Sequence, residues 1–288
     1  MQEYLSHQST NSRDIYFQGY VRPDGKVGTR NLVAVLYTVD CARIVSQRIA
    51  QSIPNGVSVG WYSCYSTEDS NDTNTLVGLG SNPNFSSAIV VGLGCQHISP
   101  YDVAKAIKKG GKPAASLEIQ GTGGTKKTIE SGTKIADKFF HDGESLDRTD
   151  SPISSLSTGL TIEVSRTSFE KVLSLMSSFG KDFAQQGGRI LTDHLVTRSR
   201  AFEANKGGSV QTVEPGVYPA GSGIYEVDGM AARSALIYKM DNNSYLTDFA
   251  AAGAQIMIRA TDEGFGIGNV VSPTINLWTG GSPSKSGH

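Results

Sequence analysis

The chain predicts an α/β fold of two lobes, each a mostly parallel sheet flanked by helices in a Rossmann-like three-layer αβα arrangement. Three observations predict it. Short apolar runs alternate with segments whose apolar residues recur at helical spacing, which implies parallel strands covered on both faces. Several runs, such as "NLVAVLYTVD" and "SAIVVGLGC", are continuous enough to read as buried strands. Around 141–155 the composition shifts to "HDGESLDRTDSPISS", and a second set of alternations begins beyond it.

Taken in order, residues 1–18 are polar and aperiodic and read as a flexible tail. The first lobe is expected over 19–145. Its strands are "NLVAVLYTVD", "VSVGWYSC", "SAIVVGLGC" and "PAASLEIQ". Its helices are "CARIVSQRIAQSI", with Ile44, Val45, Ile49 and Ile53 on one stripe, then "NTLVGLGSN", then "SPYDVAKAIKKGG". Ser99 caps the last of these, with Pro100 at its first position. A further helix runs from Thr125 to Phe140 after "GTGG". The second lobe is expected over 146–280, from "LTIEVS", a helix over 168–186, "GRILTD", a Gly/Ser/Pro-rich stretch over 205–223, "SALIYKM", a helix over 245–253, "AQIMIRAT" and "SPTINLWTG". Residues 281–288 read as a second flexible tail.

Composition narrows the function. Lys and Arg total 26 against 27 Asp and Glu, so no excess of basic charge recommends nucleic acid or an anionic membrane as partner. No apolar run reaches the ~18 residues of a membrane span, and the start "MQEYLSHQST" lacks the pattern of a signal peptide. Three cysteines argue against a disulfide framework. A cytoplasmic protein acting on a small molecule is the expectation.

Cys41, Cys64 and Cys95 each close a predicted strand. In an open parallel sheet ligands bind beyond the carboxyl ends of the strands, so the three thiols can converge. Three thiolates would hold iron or zinc with one position open to substrate. Equally, free cysteines are commonly small buried hydrophobes, and no CxxC pair decides between the readings. "QGTGGTKKT" before a helix can offer backbone N–H groups to a carboxylate, with Gly123, Gly124, Thr125 and Lys126 at its centre. A tight turn explains the same glycines. His97, two residues beyond Cys95, is the candidate general base or metal ligand. Asp262 and Glu263 in "TDEGFGIGN" are candidate acid–base or metal groups, or simply solvated.

The segment "GYVRPDGKVGTRNLVAVLYTVDC", 19–41, resembles the start of the main domain of the altronate dehydratase and galactarate dehydratase family, which includes sulfolactate sulfo-lyase. The likeness extends through "NPNFSSAIVVGLGCQ", "IQGTGGTKKTIESG", "AQQGGRIL", "NKGG", "MDNNSYLTDFAAAGAQIMIRATDEG" and "SPTINL". It implies an iron-dependent lyase that eliminates water or sulfite from a hydroxylated acid. Cys41, Cys64 and Cys95 would then hold iron, as Fe2+ or an iron–sulfur cluster, and Arg30 and Asn31 with the 121–125 loop would bind the substrate.

The chain departs from the family where polar motifs are expected. "VGWYSC" lacks the histidine before the second cysteine, "TIEVSRTS" stands in place of Cys-Gly-Gly-Ser-Asp, and "TDEG" in place of Thr-Gly-Arg-Gly. "TVEPGVYPAG" replaces a Glu-Lys-rich stretch, and the family's small N-terminal domain is expected to be absent. A divergent lyase with an altered substrate is therefore the first expectation. Trp61, Tyr62 and Tyr65 point to a less polar substrate and a role in specialised metabolism. The alternatives are a metal-free enzyme of isomerisation or cyclisation without cofactor, and an inactive binding or regulatory homologue. A homo-oligomer is expected in each case.

Overall fold

The structure, a computed structural model, describes residues 15–60, 70–164, 166–197, 210–229, 243–262 and 266–279. It is an α/β fold built on two parallel sheets. The first contains β3 (Leu32–Tyr37), β4 (Gly56–Gly60), β5 (Phe85–Gly92) and β6 (Ala114–Glu118), in the order β4-β3-β5-β6. Its four strands run parallel, with Tyr37 opposite both Gly60 and Val91, and Gly92 opposite Glu118. The connecting helices are α1 (Arg43–Ala50), α2 (Ser70–Ser81) and α3 (Pro100–Lys109). β6 leads through the single turn α4 (Ile119–Thr122) into the 20-residue α5 (Thr125–Glu144). α3 begins as the sequence requires: the Ser99 side chain accepts from the Asp102 N–H at 3.2 Å, and Pro100 follows the cap.

The second sheet contains β8 (Ser157–Glu163), β9 (Arg189–Thr192), β10 (Gln211–Val213), β11 (Gly223–Val227), β12 (Ile256–Thr261) and β13 (Thr274–Trp278). Their order is β10-β11-β9-β8-β12-β13, again all parallel. α6 (Arg166–Gln185) connects β8 to β9, the short α7 (His194–Thr197) follows β9, and α8 (Asn243–Ala251) precedes β12.

Alternation along the strands divides the core into three. Val33, Val35, Ile89 and Val91 face α1 and α5. Leu160, Ile162, Ile190 and Ala260 pack with Leu173 and Met176 of α6. Between them lies one continuous cluster: Ala34, Leu36, Ala88 and Val90 of the first sheet share it with Leu191, Tyr225, Val227 and Met257 of the second. Leu76 and Leu79 of α2, Val103 and Ile107 of α3, and Leu246 and Phe249 of α8 fill the space between the sheets. Each sheet is thus flanked by helices as expected, and the helices between the two sheets belong to one shared core.

Three expectations need correction. Residues 16–18, read as tail, begin β1 (Tyr16–Val21), which pairs antiparallel with β2 (Val27–Gly28) and with β7 (Thr149–Pro152). β7 itself lies in the stretch read as a linker. Each strand is too short and polar to announce itself, and only pairing with a partner ~130 positions away satisfies its backbone. The Gly/Ser/Pro-rich stretch likewise contains β10 and the start of β11, because short edge strands carry little apolar signal. "SALIYKM" lies outside the described residues, as does the end of "VSVGWYSC".

The amino edges of the two sheets are joined by buried side-chain amides. Asn84 is fully buried, and its Oδ1 accepts from the Thr29 N–H at 2.9 Å, the Thr29 hydroxyl at 3.0 Å and the Arg30 N–H at 3.2 Å. Its Nδ2 donates to the carbonyls of Gln255 and Val271, at 2.9 and 3.1 Å. Asn82 donates to the carbonyls of Ala250 and Ala254, where α8 ends. Gln255, also fully buried, donates to the carbonyls of Val27 and Ser155 and accepts from the Ser157 N–H. An Asn84→Ala variant strands several of these buried donors and acceptors at ~1–3 kcal/mol each. It is expected to lose about 3 kcal/mol or more of stability in urea denaturation, against less than about 0.5 kcal/mol for an exposed control such as Lys105→Ala.

Candidate functional site at the carboxyl edges of the sheets

Beyond Tyr37, Asp40–Ala42 form a 3-10 turn. Asp40 accepts from Arg43 Nε at 2.8 Å, which anchors the strand end to the first turn of α1. Burial raises the Tyr37 phenol above its ordinary value; the Arg43 guanidinium opposes that shift and Asp40 adds to it. Cys41 stands exposed in the turn. One strand over, the loop after β5 folds around Gln96, whose Oε1 accepts from the N–H groups of Leu93 at 2.9 Å and Gly94 at 2.7 Å. Gly94 has φ +129, and a Cβ there would lie 2.4 Å from Gln120 Oε1. Only glycine fits that close approach. The loop leaves Cys95 and His97 exposed. Both described cysteines are thus solvent-facing, which overturns the reading of them as small core residues. Cys64 lies outside the described residues.

The loop after β6 is tied to the loop after β5 by the Gln120 N–H, which donates to the Leu93 carbonyl at 3.0 Å. Gly123 (φ +93) and Gly124 (φ +100) then turn the chain into α5. Gly124 is the N-cap, so no side chain caps the helix. Thr125, Lys126 and Lys127 form its exposed first turn, and the Lys127 side chain folds back over Gly123. A long helix whose uncapped start carries cations rather than acids attracts an anion.

The structure brings Cys41, Cys95, His97 and Gly123–Lys126 to one edge of one sheet. It does not bring Arg30 and Asn31 there. They precede β3, at the amino edge, and six strand residues at ~3.3 Å each separate them from the turn that bears Cys41. Asn31 Nδ2 donates to the Gly143 carbonyl at 2.8 Å, and its Oδ1 accepts from Arg22 Nη1 at 2.7 Å. Arg30 Nη1 donates to the Val270 carbonyl at 3.2 Å. Arg30 reaches across to the chain before β13, whereas Asn31 ties the start of β3 to the end of α5, so both stand at the edge opposite the candidate loops.

Asp262 follows β12, at the carboxyl edge of the second sheet; Glu263 lies outside the described residues. This edge also holds a buried polar cluster that the motif search passed over. Arg259, fully buried on β12, pairs with Glu163 at the end of β8. The Thr161 hydroxyl donates to Asp193 at 2.9 Å, whose second oxygen accepts from the Val196 N–H at 3.1 Å. The Thr197 hydroxyl donates to Glu226. Burial, then the charges of Asp193, Asp248 and Glu163, pushes the Tyr245 phenol up to about 12. The available signal was an arginine in the apolar strand "IMIRAT" and a glutamate closing "LTIE".

The iron expectation rests on three cysteines, of which two are described. Thiolates suit iron, and Cys41 and Cys95 end adjacent strands. Among the described residues, however, no three His, Cys, Asp or Glu side chains converge into a metal-binding group. The two described thiols do not by themselves make an iron site. No helix among the described residues is long and apolar enough to cross a membrane.

Comparison with known proteins adds two similarities. The model of the D-galactarate dehydratase/Altronate hydrolase second domain matches residues 19–143, from the middle of β1 to the end of α5. Residues 19–143 are thus similar to that second domain over 125 of the chain's 288 residues. The first sheet, its helices and both glycine-containing loops of the candidate site fall inside it. The chain is also 30% identical over 146 residues to the (2R)-sulfolactate sulfo-lyase subunit beta of Chromohalobacter salexigens. That match covers 49% of this chain and 36% of the sulfo-lyase subunit, so the chain spans about a third of its relative's length.

Two outcomes follow from the acid cluster. Glu163→Gln leaves the fully buried Arg259 guanidinium without this carboxylate and is expected to destabilise by about 3–5 kcal/mol in urea titration, while Arg259→Met, which leaves the partly exposed Glu163, costs less. Unfolded, Tyr245 ionises near pH 10; folded, it holds its proton to about 12. Stability from this group is therefore flat below pH 10 and falls as pH rises through 10–12. Tyr245→Phe is expected to make the alkaline limb of the stability curve shallower.

Proposed function

We propose that the chain acts as a lyase that eliminates water, or another β-leaving group, from a hydroxylated carboxylic acid. The observation that carries this reading is the uncapped, lysine-bearing start of α5, held against the His97 loop on the carboxyl edge of a region similar to the galactarate dehydratase/altronate hydrolase second domain. The N–H groups of Thr125 and Lys126, with the side chains of Lys126 and Lys127, would seat the substrate carboxylate. Negative charge that develops there when the α-proton leaves is stabilised by the same donors. His97 Nε2 or Nδ1 would take that proton. Departure of the β-group then leaves an enol that relaxes to a 2-oxo acid.

Support for the reaction class comes from the family domain and from the relative's name as a sulfo-lyase. The relative is also named a subunit, which supports an assembly of several chains; we also take the protein to work in the cytoplasm. Iron bound by Cys41, Cys95 and Cys64 would supply Lewis acidity at the leaving group, and no step assigned to His97 or α5 depends on it. The cluster around Tyr245 and Asp193 favours a second reading, metal-free proton transfer at the second sheet, as in an isomerase.

The test is an anaerobic assay with and without added iron on a panel of sugar acids, smaller 2,3-dihydroxy acids and sulfolactate, following 2-oxo acid formation. Turnover of at least one acid is expected, with kcat lowered ~10²–10⁴-fold by His97→Gln and KM raised by Lys126→Ala. Bound iron, measured on the same samples, should fall in Cys41→Ala and Cys95→Ala. If neither preparation converts any acid, or if His97→Gln works as well as wild type, the proposal is wrong. Iron-independent activity abolished by Tyr245→Phe and untouched by His97→Gln would favour the second reading.

A further inference from the structure

At the amino edges, opposite the candidate site, a cavity of about 190 Å³ opens between the ends of α2, α3 and α8 and the turn joining β1 to β2. Asp24, Lys26, Asn82, Lys112 and Tyr218 contribute to its lining. Lys112 is buried, and its Nζ donates to the Asn82 carbonyl; 6.0 Å away lies the Phe85 ring. An ammonium has three N–H donors, and one is accounted for.

Charge around it is unbalanced. Arg22, also buried, spends its guanidinium on neutral acceptors: the carbonyls of Pro83 and Arg30 and the amide oxygen of Asn31. Asp24, the carboxylate near these cations, is already held by Lys26 Nζ at 2.8 Å. Lys26 in turn rests over the Tyr218 ring at 5.1 Å, with the Arg189 guanidinium also against that ring at 4.9 Å.

The ends of three helices face the cavity, and free terminal carbonyls would favour a cation. These are taken. The N–H groups of Gly110, Gly111 and Lys112 cover the last carbonyls of α3. Those of Ala252, Gly253, Ala254 and Gly216, with the Asn82 amide, cover the last carbonyls of α8. What the cavity offers is donors and positive charge. Burial drives the Lys112 ammonium well below its ordinary value, with Arg22 and Lys26 adding to the shift and Asp24 opposing it. A counter-charge in the cavity would reverse that.

We propose that this cavity is a binding site for a small oxyanion, a carboxylate or an inorganic anion such as phosphate or sulfate, held between Lys112 and Lys26. It is distinct from the carboxyl-edge site and independent of the reaction proposed there. An anion bound here bridges Lys26 of the β1–β2 turn and Lys112 at the end of α3.

Thermal unfolding tests it, with sodium acetate, malonate, sulfate and phosphate each compared with sodium chloride at matched ionic strength. A ligand that binds only the folded chain raises Tm with a saturable dependence on its concentration. Such a rise is expected with at least one of the four and not with chloride. A response confined to acetate and malonate assigns the site to carboxylates, and one confined to sulfate and phosphate to inorganic anions. Lys112→Met should raise the half-saturating concentration at least tenfold, and Lys26→Met should raise it severalfold. Wild-type protein that responds to all four salts as it does to chloride overturns the proposal, and so does Lys112→Met with unchanged half-saturation. Should Lys112→Met not fold, an unchanged half-saturation in Lys26→Met overturns it instead.

Discussion

Asn84 is the side chain on which the two sheets depend. One face of its amide accepts three donors from Thr29 and Arg30, just before β3, while the other donates to the carbonyls of Gln255 and Val271, next to β12 and β13. The peptide groups it serves lie in irregular chain, where no neighbouring strand can take their hydrogen bonds. Being buried, they need partners, and an amide, with donors on one side and acceptors on the other, serves both strands at once. Asn82 and Gln255 repeat the arrangement to either side. The registry of the sheets is thus fixed by directional bonds at one end, while the apolar cluster between them, which is not directional, supplies bulk stabilisation.

This division explains how the molecule is used. With the amino edges committed to the junction, chain that leaves the carboxyl ends is free to present side chains to solvent. Cys41, Cys95, His97 and the start of α5 all do so. The family resemblance extends to both edges, but for different reasons. Arg22, Asn31 and Asn84 hold architecture, whereas the glycines at 123 and 124 shape an anion-attracting helix start.

Most of the parallel-sheet architecture was legible because continuous apolar strands and capped helices are local signals. "NLVAVLY", "SAIVVG" and the Ser99–Pro100 helix start need only their own residues to be read. β1 and β7 were not legible, since each pairs with the other far along the chain, and β10 was not because it is a three-residue edge strand. The site divided the same way. Cysteines at strand ends and the "GTGG" helix start follow from topology. A polar pair beside a strand, such as Arg30 and Asn31, looks alike at either end, and only strand direction separates the carboxyl edge from the amino edge. The Arg259–Glu163 pair stayed hidden because two charges 96 positions apart carry no mark of their pairing.

The helices between the sheets set a limit on how the chain can be divided. Leu76, Leu79 and Ile107 lie within the family domain, yet they pack in one cluster with Leu246, Phe249 and Met257 from beyond it. A segment that stopped at residue 143 would keep its sheet and its candidate loops while presenting that apolar surface to water. What sequence comparison delimits as a domain here shares its apolar interior with the chain beyond it.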